Sequence, residues 1–134
     1  MIRVLLDTST CVELLRGRAP GVRSRMEAFE PGEIGISCIT LAELEYGAAK
    51  SSDPDRHKSV LVDFCIDMVI LPFDDAASAR YGQVRRDLEL KGTPIGPLDT
   101  LIASHALSQE LTLVTGNDRE FSRVQGLRVE NWQV

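Results

Sequence analysis

Short apolar runs, each leading into an acid and then into helix-start chemistry, constrain this chain more than any other feature. Asp7 closes the first run in VLLDTST, and Glu43 follows the second in ISCITLAELEYG. Asp99 opens the helical stretch of GPLDTLIASHAL, and Asp118 follows the last run in LVTGNDREF. Apolar runs this short, rich in Val, Ile and Leu, read as strands buried on both faces. The segments between them place apolar residues at helical spacing. Strands alternating with helices call for a mainly parallel sheet covered on both sides, because each parallel connection must cross over. In such an α/β fold the strand ends and helix starts share one edge, where ligands bind. Acids far apart in sequence can therefore meet there.

The expected strands cover residues 2–6, 33–37, 68–71 and 111–115, with 127–132 as a short edge strand. The expected helices start near residue 10, and then cover 22–29, 41–50, 56–67 after a loop at 51–55, 75–91 and 98–108. Thr10-Cys11-Val12-Glu13 and Thr40-x-x-Glu43 have the capping-box form. Gly92-Thr93-Pro94-Ile95-Gly96-Pro97 is a breaker-rich loop, and Gly116-Asn117-Asp118 is a turn. A length of 134 residues fits one domain, 1–134, with a real core.

The hydrophobic content of 43% is ordinary for a globular chain. The longest apolar stretches are too short to span a membrane, and MIRVLLDTS lacks the apolar region of a signal peptide. A cytoplasmic location is the expectation. Cys11, Cys38 and Cys65 are odd in number and widely spaced, so we expect small buried hydrophobes and not a zinc or disulfide framework. A net charge of −5 argues against broad nonspecific binding of nucleic acid. It leaves a local site open. Arg16, Arg18, Arg23 and Arg25 form one basic group, and Arg85, Arg86 and Lys91 another. Each is a solvated helix face or a rim that touches phosphate.

Each acid also has a structural reading. Asp7 and Asp118 can cap the helices that follow them. Glu43 can close a capping box with Thr40. Asp99 sits in a first turn, where the helix dipole favours an anion by about 0.3–1 kcal/mol. These readings are compatible with function, because the helix starts lie where a site is built. Acids crowded without a lysine raise one another's pKa or recruit a cation. All-oxygen donors suit Mg²⁺ or Mn²⁺. Such an ion offsets the repulsion and stabilises charge at a reacting phosphate. His57 and His105 read as non-catalytic, and Tyr46 and Trp132 as packing residues. The chain carries no nucleophile elbow, P-loop or dinucleotide fingerprint. Asp7-Thr8-Ser9-Thr10 lacks the second acid of a phosphatase loop.

These segments resemble the PIN-domain ribonucleases, and most closely the VapC-type toxins of type II toxin–antitoxin pairs. The resemblance rests on VLLDTST, ISCITLAELEYGAAKS, GTPIGPLDTLIASHAL and LTLVTGNDREFSRVQGLRVENW, in order and nearly end to end. It implies a three-layer α/β/α sandwich with a mainly parallel central sheet. It also implies a Mg²⁺-dependent (or Mn²⁺-dependent) endoribonuclease that hydrolyses RNA phosphodiesters with metal assistance. Carried over by motif, Asp7 and Asp99 would be the principal metal ligands and Glu43 the third acid. Asp118 would be the fourth catalytic residue, with Asn117 as the alternative one position away. Thr8, Ser9 and Thr115 would support the acids. The family further implies a cognate antitoxin that covers the site, a homodimer and a toxin–antitoxin hetero-oligomer. A metal-binding but non-cleaving protein and a small-ester phosphatase are the competing classes.

Overall fold

The computed structural model describes residues 1–133. The strands are β1 (Val4–Leu6), β2 (Ile34–Ser37), β3 (Val69–Leu71), β4 (Thr112–Val114) and β5 (Val129–Glu130). They form one sheet in the order β3-β2-β1-β4-β5, and each neighbouring pair is parallel. The helices are α1 (Thr8–Leu15), α2 (Pro20–Met26), α3 (Cys38–Ala49), α4 (Pro54–Cys65), α5 (Asp75–Leu90), α6 (Pro97–Ser108) and α7 (Asp118–Phe121). None of the described helices is long and apolar enough to cross a membrane.

Strand periodicity divides the core into two. Val4 and Leu6 face one side, where they pack with Ile36, Leu14, Leu44, Leu61 and Trp132. Leu5 points the opposite way, into a cluster with Leu88, Ile102, Leu113 and Phe121. Successive side chains of a strand alternate between faces, so the central strand must be apolar on both. Helices cover both faces of the sheet, which makes the three-layer α/β/α sandwich expected from the alternating pattern. Gly35 marks a close approach within β2. A Cβ there would lie 2.3 Å from Ile2 Cδ1 and 2.8 Å from the Val69 carbonyl oxygen.

The chain lays β2 and β3 on one side of β1, then crosses over to lay β4 and β5 on the other. The order thus reverses beside β1. Leu6 stands in register with Ile36 on one side and Val114 on the other. One residue further on, Asp7, Ser37 and Thr115 form a row along the carboxyl edge, at the switch point where open α/β sheets hold ligands.

Local capping differs from the sequence expectation in two helices. Helix α1 begins at Thr8, because the Asp7 side chain accepts from the Thr10 N–H. Thr10 is therefore inside the helix, where its hydroxyl donates to the Val114 carbonyl at 3.2 Å. Helix α3 begins at Cys38 and not at 41, because Ser37 Oγ accepts from the Ile39 N–H at 3.0 Å. Thr40 is buried within that helix, so neither it nor Thr10 caps in the expected box. Helix α2 starts earlier than expected, with Pro20 in its first turn. Of the three free cysteines only Cys11 is fully buried; Cys38 and Cys65 are half-buried. Trp132 is in the core, as expected, whereas Tyr46 is exposed with the Lys50 ammonium 5.0 Å from its ring centre.

Leu113 is fully buried between the sheet and α6. Leu113→Ala should lower the unfolding free energy by about 2–5 kcal/mol, through lost apolar transfer and the cavity left behind. Urea denaturation of the two proteins measures the difference.

Candidate active site

Asp7 is 2% exposed, yet it carries a carboxylate at the end of the central strand. A buried charge persists only where it is paired or hydrogen-bonded. Here four donor contacts come from three residues. The Thr10 N–H donates to Oδ1 at 2.9 Å, and Thr115 Oγ1 donates to Oδ2 at 2.5 Å. Ser9 Oγ is 2.9 Å from both oxygens. Capping and site-building are thus the same act: the acid that starts α1 is fixed in place by it. Thr115 Oγ1 in turn accepts from the Asn117 N–H at 2.9 Å, so the turn after β4 is tied to the same carboxylate.

Glu43 projects from α3 toward the start of α1. Thr8 Oγ1 donates to Glu43 Oε1 at 2.6 Å and lies 3.2 Å from Thr40 Oγ1. Asp99 is in the first turn of α6, with Gly96 as its N-cap. A Cβ on Gly96 would stand 3.7 Å from Asp99 Oδ2, so the carboxylate folds back over the helix start.

The electrostatics join these acids. Burial pushes the Asp99 carboxyl up to about 6, and the charges of Asp7, Glu43 and Glu120 add to the rise. A helix N-terminus would draw the pKa down. The net direction is upward, so burial and like charge outweigh the dipole at this position.

The last of those acids was not foreseen. Asp118 is exposed, and its Oδ1 accepts from Asn131 Nδ2 at 3.1 Å, in the C-terminal segment. Glu120 is the acid of α7 whose charge reaches Asp99. Asn117 Nδ2 donates to Glu120 Oε2 at 2.7 Å, so Asn117 positions Glu120. Both acids fall in the first turn of one four-residue helix. Turn chemistry alone therefore had no means of choosing between them.

Thr8, Ser9, Thr115 and Asn117 each hold one of the acids, as set out above. His57 is exposed. His105 is fully buried behind the site, with Nδ1 2.8 Å from Ser37 Oγ and its ring edge-on to Phe73. Burial lowers its pKa, so it packs as a neutral core residue. The first basic group is largely engaged: Arg18 pairs with Glu13, Arg25 with Glu130, and Arg23 Nη2 donates to the Leu14 carbonyl.

Among the described residues, no three His, Cys, Asp or Glu side chains are gathered tightly enough to enclose an ion by themselves. The donor set is nevertheless all oxygen, and a divalent cation relieves both the burial and the like charge that raise the Asp99 carboxyl. Mg²⁺ typically takes one or two carboxylates and keeps several waters, so it needs no closed protein cage. In chemistry the residues fit such an ion.

Residues 4–127 match the PIN domain. A Shigella flexneri protein named tRNA(fMet)-specific endonuclease VapC is 42% identical over 132 residues, covering 98% of this chain and 99% of its own length. The crystal structure of DNA-bound VapBC from Salmonella typhimurium contains a chain that superposes with a TM-score of 0.94 at 42% identity, covering 98% of this chain and 99% of that one. VapBC2 from Rickettsia felis, bound to a DNA fragment from its promoter, gives 0.92 at 39% identity with the same coverage. With matches that span nearly its whole length, this chain belongs to the PIN-domain family, among the VapC-type toxins of toxin–antitoxin systems.

Proposed function

We propose that this protein is a Mg²⁺-dependent endoribonuclease, the toxin of a type II toxin–antitoxin pair, and that Asp7, Glu43, Asp99 and Glu120 form its catalytic acid set. One observation carries the reading. Asp7 at the end of β1 and acids from α3, α6 and α7 are brought within electrostatic reach at the sheet's carboxyl edge, where burial and one another's charge drive Asp99 up to about 6. A set of like charges so costly to assemble points to a cation and to chemistry at a phosphate.

Asp7 and Asp99 are the principal candidates to hold the ion, with Glu43 and Glu120 binding it directly or through water. When bound, a divalent ion supplies an activated water and screens the charge that develops on the phosphate. The chain's own residues do the positioning. Thr115, Ser9 and the Thr10 N–H fix the Asp7 carboxylate, and Thr8 fixes Glu43. Support of this kind sets ligand orientation, and its loss typically costs about 10–100-fold.

Two relatives at 42% identity are named tRNA(fMet)-specific endonucleases, which makes initiator tRNA the first substrate to test. The VapBC assemblies support a small cognate antitoxin as partner. Homodimerisation belongs to the same reading.

Asp7→Asn and Asp99→Asn should each lower Mg²⁺-dependent cleavage of a tRNA(fMet) transcript by about a hundredfold or more. Wild-type-like cleavage by both folded variants would reject the assignment. Mg²⁺ at pH 7 should raise the melting temperature of the wild type and leave that of Asp99→Asn nearly unchanged, because a ligand stabilises only the state that binds it.

Glu120→Gln and Asp118→Asn separate the two acids of α7. The first should lose at least tenfold in cleavage rate, on the scale of a lost ligand support, while the second stays within a few-fold of wild type. A larger loss in Asp118→Asn reverses the choice.

The metal-free protein should also show a pH signature. The native Asp99 carboxyl holds its proton up to about 6, against an ordinary value of 3.8. In that window the folded state binds more protons than the unfolded one, so stability falls as pH rises from about 4 to 6. Asp99→Asn removes this slope. In EDTA the variant should gain stability relative to wild type across that interval, and keep the gain above it. Urea midpoints taken at several pH values check the sign.

A further inference from the structure

An acidic site on a chain of net charge −5 needs cations elsewhere to hold a polyanion. The structure offers a cleft of about 280 Å³ between α5 and the start of α6. Its walls include Leu88, Ile95, Pro97 and Thr100, and its polar side is Tyr81 with Arg85 and Glu89. Arg85 Nη1 donates to the Tyr81 hydroxyl at 3.0 Å, and Nε donates to Glu89 at 3.2 Å, so the ring and the guanidinium are held side by side. Arg123 Nη1 donates to the Pro94 carbonyl at 3.2 Å, which clasps the loop before α6 and adds a second guanidinium at the cleft's rim. Pro97 and Thr100 bracket Asp99 within a single helical turn. Leu98, on the same turn, is left 45% exposed.

We infer that this cleft binds one nucleobase of the RNA beside the scissile phosphate, with Tyr81 and Arg85 as its positioning pair. The inference rests on the ribonuclease reading. Three features favour a nucleotide. The cleft is small for a drug-sized ligand and suits a single ring system. An aromatic ring and a planar guanidinium both stack on bases, and stacking holds a single strand without a base-pair code. Arg123, with no carboxylate partner among the described residues, adds a guanidinium at the rim, next to the turn that carries Asp99, while Glu89 pairs with Arg85 and leaves the rest of its planar face for stacking. A base seated here anchors its strand within one turn of the carboxylate proposed to act on the backbone.

The test uses the full chain with Mg²⁺. The cut in a tRNA(fMet) transcript is mapped, and a short RNA spanning it is made intact and with an abasic nucleotide on either side. Tyr81→Ala and Arg85→Ala should each lower kcat/KM on the intact RNA about tenfold, chiefly through KM. Tyr81→Phe, which keeps the stacking ring but loses the hydroxyl that holds Arg85, should recover most of what Tyr81→Ala loses. One abasic position should cost the wild type a similar factor, and Tyr81→Ala should lose nothing more on that RNA. A purely structural role would instead lower cleavage of intact and abasic RNA alike, and that result overturns the proposal. So do variants that cleave as well as wild type, or that change only the oligomeric state, which would assign the cleft to a protein contact. A wild-type chain that cuts no RNA under these conditions overturns the ribonuclease reading, and this inference with it.

Discussion

Asp7 is the residue on which the rest of the site depends. Its carboxylate caps α1 through the Thr10 N–H, takes the Ser9 hydroxyl, and reaches across the sheet edge to Thr115 after β4. Those contacts make a buried charge tolerable, because they replace the water it has lost. They also couple three parts of the chain. The start of α1, the end of β4 and, through Thr115, the backbone of Asn117 are fixed relative to one carboxylate. Asn117 then holds Glu120, and Thr8, the first residue of α1, holds Glu43. The hydrogen bonds run from the central strand outward to acids on two other helices.

This order opposes the electrostatics. Burial first, and then the like charge of Asp7, Glu43 and Glu120, push the Asp99 carboxyl up. Hydrogen bonds and burial hold them near each other all the same, which is what a preorganised site requires. Strain of this kind is characteristic of a binding or catalytic centre. The scaffold carries it because the two apolar clusters on the sheet's faces are separate from the polar edge. The central strand contributes Val4, Leu5 and Leu6 to those cores and ends on the polar edge within one residue.

Much of the fold was readable from the pattern of the chain. Apolar runs bounded by Pro, Gly and Asp located the strands to within a few residues, because burial on both faces leaves no room for polar side chains. Helix starts were less readable. The expected boxes at Thr10 and Thr40 lost to Asp7 and Ser37, which lie at the strand ends and so meet the free N–H groups first. A residue three or four positions into a helix has the right chemistry for a cap but arrives after the first turn has closed.

The sequence by itself determined an α/β chain with acids at the junctions between strand and helix, and it pointed to Asp7, Glu43 and Asp99. Local rules suffice there, since strand period and helix-start chemistry are properties of a few neighbouring residues. Only the tertiary structure showed that the charge of Glu120 reaches Asp99. Asp118 and Glu120 are equivalent by local rules; the fold sets them apart, because Asp118 accepts from Asn131 in the C-terminal segment while Glu120, held by its neighbour Asn117, lies within reach of Asp99's charge. The cleft at Tyr81 and Arg85 belongs to the same class. It exists only because α5 packs beside α6, a contact between segments that no local spacing encodes.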